Sequence, residues 1–89
     1  MTEFEKNCYG MSAEDIRNQF FDSITFKLSG PTMVVAGLMS DAQEVMAMGD
    51  VESARKFLNI AKFILFETVL EDVQAENEQL LAMAEEFTL

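Results

Sequence analysis

No glycine or proline follows Gly49, and no lysine or arginine follows Lys62. The first absence removes the usual means of stopping or kinking a helix over the last 40 residues. The second leaves the C-terminal third acidic without compensation. Histidine and tryptophan are missing altogether, and Cys8 and Pro31 stand alone of their kinds. Without histidine, a nucleophile such as Ser12, Ser40, Thr68 or Cys8 lacks its commonest activating base, and no Ser-His-Asp set exists. One thiol with no imidazole cannot complete a tetrahedral zinc site, and one cysteine forms no intrachain disulfide. No glycine-rich loop has the spacing that cradles phosphate. These absences leave no cofactor to expect and point away from catalysis.

What is present is acid and grease. Sixteen Asp and Glu against six Lys and Arg give a formal net charge of −10. Affinity for a phosphate backbone comes mainly from basic side chains, so direct nucleic-acid binding is not expected. Anionic membrane surfaces are disfavoured for the same reason, and a basic protein partner is favoured. Met1 to Lys6 carries acids where a signal peptide needs bases. The longest apolar region, Phe57 to Leu70, is interrupted by Asn59, Lys62 and Glu67 and is too short and polar to span a bilayer. A lone cysteine suits a reducing compartment. The expectation is a soluble, cytoplasmic protein.

The patterning predicts an all-α domain of 89 residues with three helices, about 12–28, 31–48 and 51–87, after a loosely ordered lead at 1–11. Ser12 is placed to cap the first helix, with Glu14 and Asp15 in its first turn. Ile16, Phe20, Ile24 and Leu28 then recur every fourth residue. Ile24, Phe26 and Leu28 also alternate with polar residues as in a strand, but a lone strand has nothing to pair with. Gly30-Pro31 ends one helix and opens the next. Val34, Leu38, Ala42, Val45 and Met46 line the second helix. Gly37 weakens that helix, which close approach of a neighbour would explain. Gly49-Asp50 supplies the next stop and cap. A single stripe then runs from Val51 through Ala54, Leu58, Ala61, Leu65, Val69, Val73, Leu80 and Ala84 to Phe87, with Glu76 its polar interruption.

One helix over 51–87 is about 55 Å long at 1.5 Å per residue, longer than a compact domain of this size. Its middle is apolar on every side. The expectation is therefore a projecting acidic arm, 71–89, and a homodimer sealed by Phe57, Phe63, Phe66, Leu70, Val73 and Leu80. Antiparallel arms packing near Arg55, Lys56 and Lys62 of the partner would ease the repulsion between them.

From Val35 to about Leu65 the chain resembles a tetratricopeptide-type hairpin. Leu38, Ala42 and Val45 fall on its first helix and Ala54, Leu58 and Ala61 on its second. Asp41 stands where that family usually has an apolar residue, and a single copy is visible. The resemblance implies a close antiparallel helix pair; no peptide groove follows from it.

The carboxylates offer one route to chemistry. Asp41 and Glu44 share a face of the second helix, and Glu67 and Glu71 a face of the third. Brought together they would suit Mg²⁺. The arrangement looks like the acidic core of the all-α nucleotide pyrophosphohydrolases, whose spacing is Glu-x-x-Glu followed by Glu-x-x-Asp. Here the first element reads Asp41-x-x-Glu44 and the second has a different interval. Weighed against that enzyme, and against an acidic mimic of nucleic acid that binds a basic protein, the reading favoured is a non-catalytic protein-interaction or regulatory module. The seven methionines supply either core filler or an adaptable partner surface.

Overall fold

The structure, a computed structural model, describes residues 1–87. The described residues are helical and contain no strand. Five helices form where three are expected. They are α1 (Glu3–Asn7), α2 (Ala13–Ile16), α3 (Ile24–Ala47), α4 (Val51–Thr68) and α5 (Glu71–Phe87).

The N-terminal lead is not a loose segment. Thr2 caps α1 by accepting from the Glu5 N–H at 3.1 Å, and Cys8 beyond it is fully buried. The Phe4 ring meets Phe63 edge-on at 5.5 Å, and Tyr9 meets Phe57 at 5.6 Å. The Tyr9 hydroxyl donates to the Ser53 carbonyl at 3.3 Å. The lead thus lies against α4 and covers the aromatic face that a bare rod would leave open.

Ser12 and Asp15 form a complete capping box at the start of α2, each side chain satisfying the other's backbone N–H. The helix does not continue to residue 28. It widens into a π-helical turn at Arg17–Phe21 and stops at Asp22, where Ser23 caps a new helix through the Phe26 N–H at 3.1 Å. A π turn shifts every later side chain out of the four-residue register. The predicted stripe is split accordingly. Ile16 is buried and Phe20 half-buried, whereas Ile24 and Leu28 are 74% and 81% exposed.

Gly30 interrupts α3 with φ +80°, a backbone that glycine tolerates best, and Pro31 opens the longer second part. Val34, Val35, Leu38, Met39 and Ala42 are its buried face. Gly37 faces open space: nothing lies within 4 Å of where a Cβ would stand, so no close helix approach explains it. Gly37→Ala is therefore expected to stabilise the protein by about 1 kcal/mol through helix propensity and a less disordered unfolded state. A rise of about 5 °C in the unfolding midpoint would register it.

Gly49, at φ +91°, closes α3, and the Asp50 N–H returns to the Val45 carbonyl at 2.9 Å. Asp50 then caps α4 by accepting from the Ser53 N–H at 3.0 Å. Hydrogen bonding from the Ser53 side chain, then from its backbone, holds the Asp50 carboxyl below the usual range. The two helices pack as an antiparallel hairpin in which Ala42, Ala54 and Ala61 are fully buried, as small residues at a close crossing should be.

The long third helix does not form. Val69 takes a left-handed conformation (φ 57°, ψ 46°), α4 ends, and α5 folds back along α4 with its flank against α3. The longest dimension of the molecule is 37 Å, too short for a rod of about 55 Å. The Gln74 amide donates to the Leu65 carbonyl at 3.0 Å and the Asn77 amide to the Leu58 carbonyl at 3.1 Å. The break also resets the helical phase. Asn77, not Glu76, is the polar residue in the buried stripe, and Glu76 is exposed. The arm predicted over 71–89 is thus a third layer of the bundle; its last two residues lie outside the described residues.

Candidate docking grooves

Refolding α5 onto the hairpin creates two grooves. The first, of about 430 Å³, lies between the C-terminal end of α3 and the middle of α5, lined by Gln43, Met46, Ala47, Leu80 and Met83. Helical periodicity explains the set. Gln43, Met46 and Ala47 share one face of α3, and Leu80 and Met83 share one face of α5. Met46 and Leu80 are half-buried, while Met83 is 48% exposed. The same α5 face carries Glu76 before Leu80 and Glu86 after Met83, and Glu44 precedes Ala47 by one turn on α3. The lining is mostly apolar and includes two flexible thioethers, and these carboxylates lie on adjoining turns outside it.

The second groove, of about 380 Å³, opens between α1, α4 and α5 over Phe4, Phe63, Phe66 and Cys8. The Lys62–Glu78 ion pair (3.3 Å) stands at its rim, so its charges are matched. Burial pushes the Cys8 thiol up from 9.0 to about 11, which keeps it protonated and unreactive near neutral pH.

Charge is divided between the two sides. Lys6, Arg55 and Lys56 gather around a small polar groove on the α1–α4 side, where Glu52 pairs with Lys56 at 3.4 Å. On the α5 side acids dominate: the helix carries six carboxylates between Glu71 and Glu86 and no base. Arg17 reaches Glu67 at 2.9 Å while stacking over Phe63 at 5.3 Å, and Lys62 reaches Glu78. The attraction between Lys62 and the acidic arm, expected between subunits, is made within one chain.

The four candidate metal ligands are not assembled. All are exposed, and Glu67 is held by Arg17. In an antiparallel hairpin turning at 48–50, Asp41 and Glu44 sit level with the middle and start of α4. Glu67 lies about 15–20 Å further along the axis at 1.5 Å per residue. Among the described residues no group of three or more His, Cys, Asp or Glu is positioned to hold a metal ion.

The six residues expected to seal a dimer are distributed unevenly. Phe57, Phe63, Leu70, Val73 and Leu80 pack partly against the chain's own core, and Phe66 is 76% exposed. No described helix is long and apolar enough to cross a membrane.

The methionine groove is not announced by the sequence pattern. Met46 and Met83 are visible as apolar positions on two helices, but their meeting depends on the reversal at Val69. The available signal was weak: Met83 and Glu86 share a face with Glu76, an unusual mixture for a plain core stripe. No family model matches this chain, and neither a curated protein nor a solved structure is detectably similar to it.

Proposed function

We propose that this protein is a non-catalytic docking module that receives a basic amphipathic helix of a partner protein in the groove between α3 and α5. One observation carries the reading: an open, mostly apolar groove lined by Met46 and Met83 runs between two helices whose adjoining turns carry Glu44, Glu76 and Glu86, with no base on α5. Methionine is unbranched and polarizable, so such a lining adapts to varied apolar side chains. An amphipathic helix laid in it buries its greasy stripe while its Lys and Arg meet Glu44, Glu76 and Glu86. The aromatic groove is the weaker candidate for this partner, because its rim charges are paired. Self-association in a reducing, cytoplasmic setting belongs to the same reading, motivated by the exposed Phe66 and the lone Cys8.

The test is a fluorescence-anisotropy titration with a labelled helical peptide bearing leucine on one face and Lys and Arg on the other. Tight binding is expected at low salt, weakening as ionic strength rises. Met83→Glu should weaken it at least tenfold while leaving the circular-dichroism spectrum unchanged, since Met83 is half open to solvent. Equal affinity for the variant, or for an acidic peptide of the same pattern, would remove the groove from consideration.

A further inference from the structure

We infer that α5 is exchangeable between two copies of this chain: in the dimer Val69 and Leu70 join α4 and α5 into one continuous helix, and each α5 covers the other copy's α4. This deepens the self-association reading above and rests on it.

The hinge is the first reason. Val51 to Phe87 contains neither glycine nor proline, yet the chain reverses at Val69. Valine is poorly suited to a left-handed backbone, because its branched Cβ crowds the carbonyl. Its side chain is 69% exposed, so little packing holds it there. Returning Val69 to the right-handed helical region removes that crowding and lets the helical hydrogen-bond ladder run on through the break. The local sequence therefore favours the straight form.

What the straight form loses must be replaced. Leu81 and Ala84 are buried with Asn77 against the rest of the bundle, and Val73 and Leu80 pack partly on the core. A lone chain cannot leave both this stripe and the facing side of α4 open to water. A second copy supplies the same surfaces in the same order. The pairs Leu65–Gln74, Lys62–Glu78 and Leu58–Asn77 are centred on positions 69.5, 70 and 67.5, close to the hinge itself. Two continuous helices crossing antiparallel about a twofold axis at that hinge remake those pairs between chains. Exchange of an identical element is the low-cost route to a dimer because no new interface has to be invented.

The surface near the hinge is the second reason. Phe66 and Val69 lie within one turn of the break and are 76% and 69% exposed. Near a twofold axis each would meet its own copy, which covers apolar surface that the closed form leaves in water. The exchange also delivers Leu80 and Met83 of one copy to the groove beside Met46 of the other, so the docking site becomes shared between chains.

Pulsed electron-spin distance measurement tests this directly. Spin labels on E52C and A82C, in a C8A background, are measured in chains diluted with unlabelled protein so that only within-chain distances count. The closed form brings these positions to roughly 20 Å or less, whereas a continuous helix separates them by about 45 Å at 1.5 Å per residue. The expected result is the short distance in the monomer fraction and the long one in a dimer obtained by refolding at high concentration. V69G, which takes the left-handed backbone freely, should reduce the dimer fraction at least fivefold. A dimer that keeps the short distance would overturn the exchange while leaving self-association standing. A chain that stays monomeric to millimolar concentration would overturn both.

Discussion

Replacing Leu58 by alanine is expected to lower the unfolding midpoint by about 15 °C, a loss of roughly 3 kcal/mol. Leu58 is fully buried on α4, among the core residues enclosed by the α3–α4 hairpin and by α5. Its companions on the hairpin faces include Ala42, Ala54 and Ala61, which have no side-chain length with which to fill a hole. The cavity left by truncation would therefore persist, which places the cost within the range of about 2–5 kcal/mol found for buried leucine. A domain this small has only about 5–10 kcal/mol in total, so a single position carries a large share. The contrast is Phe66→Ala. Phe66 is larger but 76% exposed, and in the monomer its loss should change stability by less than about 0.5 kcal/mol. Thermal melts followed by circular dichroism at low concentration check both. A fall of under about 5 °C for the leucine variant would mean that α4 is not the centre of the core.

That centre was readable before any coordinates. Ser12, Gly30-Pro31 and Gly49-Asp50 are local signals, and each does locally what its chemistry dictates: a capping box, a break with a restart, a stop with a cap. The Ala54, Leu58, Ala61 and Leu65 stripe is likewise a local pattern, and all four residues are fully buried. The two helix breaks that the local sequence does not mark have a different origin. At Ser23 the signal is a lone serine cap inside an unbroken apolar rhythm, and the π turn before it leaves no composition mark. At Val69 the residue itself prefers to continue the helix. The reversal there comes from what α5 gains by lying on α4, and that gain involves residues more than a dozen positions apart, such as Leu58 and Asn77. The candidate site inherits the same limit. Met46, Leu80 and Met83 are individually legible as apolar, but the groove exists only after the fold-back. The Asp41, Glu44, Glu67 and Glu71 set is the converse case: the first pair is sound within α3, but the break at Val69 puts Glu67 on α4 and Glu71 on α5, and the hairpin sets Glu67 apart from the first pair.

Asn77 is where the fold-back can be tested most sharply. Its side chain is 1% exposed, its Nδ2 donates to the Leu58 carbonyl at 3.1 Å, and its Oδ1 is buried with no hydrogen-bond partner. Asn77→Asp keeps the shape and changes the chemistry. The donor becomes a second acceptor facing the Leu58 carbonyl, and a carboxylate is placed where water does not reach. A buried charge without a partner costs several kcal/mol, on the order of 3–5, unless it takes up a proton. The folded-state pKa of that carboxyl must therefore rise above the ordinary aspartate value of about 3.9. Between the two values the folded chain holds a proton that the unfolded chain has released, so stability falls as pH rises. The variant should be closest to the parent near pH 4 and should lose most of its stability by pH 7. Asn77→Leu should go the other way. It removes the unpartnered acceptor and leaves the Leu58 carbonyl only its place in the helix, so it is expected to be neutral or stabilising. Urea titrations at pH 4 and pH 7 separate the two. If the aspartate variant were equally stable at both, Asn77 would be reached by solvent and α5 would not be seated on α4 as described. Opposite signs for two substitutions at one buried position follow from the polarity of the site and not from its size. They would identify Asn77 as the residue that gives up stability to hold α4 and α5 in a single register.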